Sequence, residues 1–166
     1  MFNTLMFKEL ITPETATFFG SMIPGLELRV GIPVGISMGL PVWEALVIGV
    51  IGNILPNFII LLVLDPITKF LRKHSVKLDK IFGILFDKTR NKHQKKFAQY
   101  GSIFIIAFVA IPIPGSGSWT GSLVAYLFGV KYWKALWLLS IGVTIAGILI
   151  TMGFGSIHKI VMYIIG

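Results

Sequence analysis

With 166 residues, 55% of them hydrophobic and only 13% charged, the chain carries about half the charge of an ordinary soluble domain, where roughly a quarter of residues are charged. Its mean hydropathy of +0.84 points to an integral membrane protein. The absence of cysteine excludes disulfides and thiolate chemistry. The three histidines, His74, His93 and His158, stand far apart beside lysines, so neither a metal site nor a cofactor is expected. No Ser-His-Asp spacing or phosphate-loop lysine signature points to an enzyme. The formal net charge of +8 does not imply nucleic acid as a partner, because the basic residues gather in one segment. Positive-inside topology and contact with anionic membrane lipids account for them.

Residues 1–11 mix apolar and polar side chains around Lys8 and lack the basic start and small-residue cleavage site of a secretory signal; a short interfacial helix is expected. Thr12-Pro13-Glu14 reads as a helix start, with a hydroxyl cap, a proline at the first position and a carboxylate at the positive end of the dipole. Residues 16–22 then form the first arm of a hairpin broken at Ile23-Pro24-Gly25. Glu27 and Arg29 follow in a stretch, 16–42, that is otherwise uncharged. Each charge at membrane depth costs at least about 2.5 kcal/mol, so the pair is expected to face a wet cavity; the alternative is a solvated surface loop. A spacing of two puts them on different sides of a regular helix and argues against an intrahelical salt bridge. Gly31, Pro33 and Gly35 loosen the second arm, which ends near Gly39-Leu40-Pro41.

Residues 42–64 are long enough for a full span. Within it Gly49, Gly52, Asn53, Pro56 and Asn57 share a face, which reads either as close helix packing with a proline kink or as a cavity wall that includes Asn53 and Asn57. Asp65-Pro66 looks like the start of a further helix. From Ile67 onwards apolar residues at three- and four-residue steps are interleaved with Lys69, Arg72, Lys73, Lys77 and Lys80, the pattern of an interfacial amphipathic helix. Lys88, Arg90, Lys92, Lys95 and Lys96 extend the charge, so 69–96 is the expected cytoplasmic segment.

A second hairpin follows, with arms 102–109 and 120–129. Between them Pro112 and Pro114 remove backbone donors, and Gly115, Gly117 and Gly121 make a helix costly. Open backbone in a bilayer is tolerated only where protein or water covers it. Arms of about ten residues reach roughly half of the hydrocarbon core, so both hairpins are expected to be re-entrant. A second span over 131–152 shows a small and polar face of Ser140, Gly142, Thr144 and Gly147. A break at 153–155 and a terminal helix over 157–165 complete the chain.

The two halves match at a constant offset of ninety residues. Ile23-Pro24-Gly25 aligns with Ile113-Pro114-Gly115, Gly31 with Gly121, Gly39 with Gly129, Trp43 with Trp133, Ala45-Leu46 with Ala135-Leu136, and Ile51-Gly52 with Ile141-Gly142. The expected fold is therefore an all-α integral membrane protein, an inverted repeat of re-entrant hairpin plus transmembrane helix joined by a cytoplasmic amphipathic helix. Repeat one covers 12–64, the basic segment 65–99, repeat two 100–152 and the terminal helix 153–166. A re-entrant hairpin returns to its own side, so each repeat crosses once and the second copy is upside down. Inverted repeats with broken helices suit a transporter. Ser116, Gly117, Ser118, Trp119 and Thr120 offer backbone N–H groups and hydroxyls to an anion, and Arg29 adds a fork suited to phosphate. Glu27 is the expected ion-coupling residue. Pro24, Gly25, Pro33, Pro112, Pro114 and Gly115 are the expected hairpin breaks, and Asn53, Asn57 and Thr144 the cavity wall.

Glu27-Leu28-Arg29-x-x-Ile32-Pro33, Gly52-Asn53-x-x-Pro56 and Pro112-x-Pro114-Gly115-Ser116-Gly117-Ser118-Trp119-Thr120-Gly121 together resemble the small multi-drug export proteins, a family related to the DedA superfamily of membrane proteins. The resemblance covers about 12–152. It implies two re-entrant hairpins facing each other and, from the DedA side, ion-driven movement of polyprenyl-phosphate carriers or phospholipids. Hairpin two departs from the DedA pattern in having no arginine over 102–129. The first reading of function is thus a transporter of a lipid phosphate, another phosphate-bearing amphiphile or a small anion. The alternative is an exporter of cationic amphiphiles driven by proton exchange at Glu27, with Trp119, Trp133 and Phe108 as an aromatic pocket. A homodimer in the plasma or inner membrane, burying the faces around Gly52 and Gly142, is expected.

Overall fold

A computed structural model describes residues 11–75, 77, 79–81, 83–84, 100–111 and 116–165, with backbone only over 155–165. All regular elements among the described residues are helices. They are α1 (Pro13–Met22), α2 (Glu27–Ser37), α3 (Val42–His74), α4 (Tyr100–Ala110), α5 (Ser118–Leu127) and α6 (Tyr132–Ile165). The interfacial helix expected at the amino end, the basic residues of 88–96, and the breaks at Pro112, Pro114 and Gly115 lie outside the described residues. The chain divides into two compact units, one of 1–55 with 143–166 and one of 56–142.

In the first unit α1 opens as its sequence dictates: Thr12 is extended, its hydroxyl accepts from the Thr15 N–H at 3.3 Å, and Pro13 takes the first turn. The chain reverses at once. Gly25 sits at φ +84 and the Glu27 N–H donates to the Ile23 carbonyl at 3.0 Å, a geometry that glycine enters without steric cost. α2 then lies antiparallel against α1, with Ser21 opposite Gly31 and Thr17 opposite Gly35. A Cβ on Gly31 would stand 2.7 Å from the Ser21 nitrogen and 2.8 Å from the Thr17 carbonyl oxygen, and one on Gly35 would collide with the Thr17 hydroxyl. On the other side of the hairpin, Gly52 of α3 meets the Phe18 carbonyl, where a Cβ would come within 2.5 Å, and Gly49 meets Ile32. Gly147 of α6 packs over Leu46 and Val50. Ile32 and Val143 are wholly buried.

The second unit uses the same device. Gly121 of α5 meets Val109 and Leu139, and Gly142 of α6 meets Val109 and the Ile106 carbonyl of α4, with Cβ distances of 2.6 to 3.1 Å. Ile105, Ala125, Ala135 and Leu139 are fully buried there.

Local geometry recurs at ninety residues. α2 and α5 both end on a left-handed glycine, Gly39 at φ +103 and Gly129 at φ +69. At each, the next N–H reaches back to a carbonyl of the last turn: Leu40 to Gly35 and Val130 to Ala125, both 3.0 Å, which satisfies groups the helix end leaves over. The exposed stripes correspond as well. Trp43, Val47, Ile51, Leu55, Phe58 and Leu62 on α3 match Trp133, Trp137, Ile141, Ile145, Ile148 and Met152 on α6, all between 37% and 70% exposed. Both helices are long and apolar enough to cross a membrane, yet only 33% and 44% of their most apolar windows are buried. An apolar surface of that extent on a helix of that length belongs against lipid.

Three expectations are corrected. Pro33 does not break hairpin one but lies inside α2; it removes one backbone bond, and the packing of Gly31 and Gly35 against α1 holds the helix across the gap. Asp65-Pro66 does not restart a helix, because α3 runs through it; the Asp65 carboxylate pairs with Lys69 one turn on at 2.6 Å rather than capping. The break at 153–155 is likewise absent, since α6 continues to Ile165: glycine lowers helix propensity by about 1 kcal/mol but, unlike proline, removes no donor.

Glycine packing makes a graded prediction. Gly31→Ala should lower stability by about 1 to 3 kcal/mol through overpacking, whereas Gly83→Ala, at a helical position with open space around its Cβ, should not lower it and should raise it by up to about 1 kcal/mol. Thermal unfolding in detergent monitored by circular dichroism reads the difference.

Candidate functional site in the hairpin turns

In the first unit the residue of note is Glu27, the first of α2. It has φ +50, the only left-handed non-glycine residue among those described, and is 7% exposed. Left-handed backbone costs an L-residue roughly 1 to 2 kcal/mol, so a strained and buried carboxylate here is a feature the surrounding packing enforces. It follows the exposed Pro24 and Gly25 of the turn, and Arg29, half-buried, stands two residues on.

Behind it the end of α1 is closed by an amide. Asn53 of α3, buried, donates from Nδ2 to the Ser21 carbonyl at 3.0 Å, one of the last-turn acceptors that α1 cannot satisfy itself. This ties the hairpin to the long helix at the level where the turn begins. Ser21 Oγ, completely buried, makes no hydrogen bond among the described residues. Asn53 therefore does structural work.

In the second unit the polar residues close on one another. Ser122 Oγ donates to the Ser118 carbonyl at 3.0 Å and lies 3.3 Å from Asn57 Oδ1, both side chains being fully buried. Ser116 Oγ bonds the Ile111 carbonyl at 2.7 Å. Gly117, extended, precedes α5 without a side-chain cap on its first turn. Of the residues expected to bind substrate, Ser116, Gly117 and Ser118 are buried and Trp119 and Thr120 half-buried. Ser122 was not among the expected residues; its place one turn after Ser118 was the signal available.

Three further expectations meet different geometry. Thr144 is exposed on α6 between Ile141 and Ile148, because steps of three and four put it on their face, not with the buried amides. Trp133 is 67% exposed and stacks edge-on with Tyr132 at 5.2 Å, so it forms no pocket with Trp119; it belongs to the outward stripe. The faces around Gly52 and Gly142, expected at a dimer interface, are occupied by the chain's own α1 and α4. Backbone that approaches this closely leaves no room for a second copy.

A cavity of about 610 Å³ also opens in the second unit, lined by Leu61, Asp65, Thr68, Lys69 and Arg72 of α3, Gly83, Tyr126 of α5, and Gly129, Val130 and Tyr132. Sequence reasoning gave Lys69 and Arg72 to topology alone. No three metal-ligating side chains gather among the described residues.

A family model described as "Putative small multi-drug export protein" matches residues 27–149, 123 of the 166. The chain belongs to this family. The match begins at Glu27 itself and takes in α2, α3, α4, α5 and most of α6. Membership in an export family, with two helices able to cross a membrane, points to a membrane transporter. Among curated proteins and among solved structures, none matches significantly.

The Asn53 contact carries its own prediction for this export-family protein. Asn53→Leu should cost about 1 to 3 kcal/mol by stranding the Ser21 carbonyl, and Asn57→Leu less, since Ser122 keeps its bond to Ser118. Midpoints of thermal unfolding in the same detergent compare the two.

Proposed function

We propose that the protein exports cationic amphiphiles across the cell membrane by exchanging them for protons at Glu27. The observation that carries the reading is a carboxylate at 7% exposure, in left-handed backbone, at the turn of a short helical hairpin. A carboxylate in such a place binds one cation at a time, proton or cargo, and that competition couples the two flows. Family membership supports export as the direction.

Around this core we read each hairpin as re-entrant, since α1 and α2 have 10 and 11 residues, about 15 Å each or half a hydrocarbon core. The recurrence at ninety residues supports an inverted repeat in which each copy crosses the membrane once. With the basic segment 69–96 cytoplasmic, Trp43 and Trp133 then mark opposite interfaces. A homodimer remains part of the proposal, through a face other than those around Gly52 and Gly142.

A lipid phosphate or small anion as cargo is the second reading. It is favoured by Arg29, the one cation within 16–42, a contact suited to phosphate; a relation to the DedA superfamily belongs with it.

In proteoliposomes with a pH gradient, Glu27→Gln should abolish efflux of a cationic dye while Arg29→Lys preserves it. The opposite ranking, with loss of phosphate-lipid movement in Arg29→Ala, would transfer the assignment to the second reading. Single cysteines at positions 43 and 133 should label from opposite sides of the membrane; labelling from one side removes the inverted repeat.

A further inference from the structure

We propose that the cavity of the second unit is a binding site for a phosphate group at the membrane interface, separate from the export chemistry at Glu27. Its main wall is one face of α3. Leu61, Asp65, Thr68, Lys69 and Arg72 follow at steps of three and four and so line up along the helix. The apolar run of α3 ends at Leu64 and the charges begin at Asp65, which sets this face at the level of lipid headgroups. Tyr132, whose ring meets Phe58 of α3 edge-on at 5.8 Å, also lines the cavity and is followed by the outward Trp133, aromatic residues typical of that depth.

The donors suit an anion. Lys69 and Arg72 line the cavity with Asp65, and each cation is paired with a carboxylate, Lys69 with Asp65 and Arg72 with Asp79, both at 2.6 Å, so the attraction comes from the N–H groups these pairs leave over rather than from a net positive charge. Arg72 is held from behind. Asp79, outside the lining, takes its Nε at 2.6 Å, which orients the guanidinium plane and leaves the two Nη groups as the donors a phosphate accepts in a forked pair. Thr68, 5% exposed, adds a hydroxyl to the floor. The volume of about 610 Å³ is larger than a lone phosphate needs and within the ordinary range for a small organic ligand. A headgroup phosphate with its glycerol fits that space; free phosphate would share the same contacts.

Native mass spectrometry of the purified protein in non-ionic detergent tests the site, with phosphatidylglycerol and, as a probe without phosphate, diacylglycerol. The protein should retain phosphatidylglycerol in preference. Arg72→Gln should weaken retention about ten-fold and Arg72→Lys, which keeps the charge but not the fork, by less. Asp65→Asn, which frees Lys69, should strengthen it. Lys77→Ala and Lys80→Ala, exposed and outside the lining, should leave it unchanged. Equal losses in Arg72→Gln and the two lysine variants would reduce the effect to diffuse charge and overturn the proposal, as would weaker retention in Asp65→Asn or no preference for the phosphate lipid. Titration with inorganic phosphate separates the sources: displacement of lipid that depends on Arg72 assigns the site to free phosphate, and its absence assigns it to the headgroup, both keeping the phosphate chemistry.

Discussion

Close approach of helix backbones at glycine is the constraint on which the structure depends. α1 and α2 are too short to be stable alone, and neither has a long apolar face to bury. Their pairing requires that Gly31 and Gly35 present no side chain to α1, and their seat on α3 requires the same of Gly52. Each contact puts a hydroxyl or carbonyl of α1 against a glycine, so polar groups are covered by backbone rather than by bulk. In the second unit Gly142 meets the Ile106 carbonyl in the same way, whereas Gly121 makes room for the side chains of Val109 and Leu139.

That mode of packing has a consequence for chemistry. A hairpin held by its arms can keep its turn in a conformation the turn would not choose. Glu27 sits there with a positive φ and little exposure, and the Asn53 amide bonds the Ser21 carbonyl at the end of the preceding helix. The energy that holds this backbone conformation comes from contacts several residues away, at Gly31, Gly35 and Gly52, which is how strain persists in a folded chain.

The polar residues of the two units have unequal fates despite the repeat. Positions that recur at ninety residues are glycines, prolines and apolar residues, among them the buried Ala45 and Ala135 and the exposed Trp43 and Trp133. The polar positions do not recur: Ser21 corresponds to Ile111, Asn53 to Val143 and Ser122 to Ile32. Duplicated scaffold with unduplicated polar groups lets one unit place a buried carboxylate while the other bonds Ser118, Ser122 and Asn57 among themselves.

Read alone, the sequence determined the helical class, the two helices able to span a membrane, the capped start at Thr12, the turn at Pro24-Gly25 and the ninety-residue correspondence, because each rests on local propensity or on hydropathy along the chain. It also singled out Glu27 through the scarcity of charge around it. Whether a proline or glycine breaks a helix was decided only by tertiary structure, as α2 passes Pro33, α3 passes Pro66 and α6 passes Gly153. Pro33 and Pro66 each remove a backbone bond at about 3 kcal/mol and Gly153 costs about 1 kcal/mol; at Pro33 the close seat of Gly31 and Gly35 on α1 offsets the loss. The partners of Gly52 and Gly142, the cap that Asn53 supplies and the cavity around Arg72 were also invisible in one dimension. They depend on which faces meet, and a face has no partner until the chain has folded back on itself.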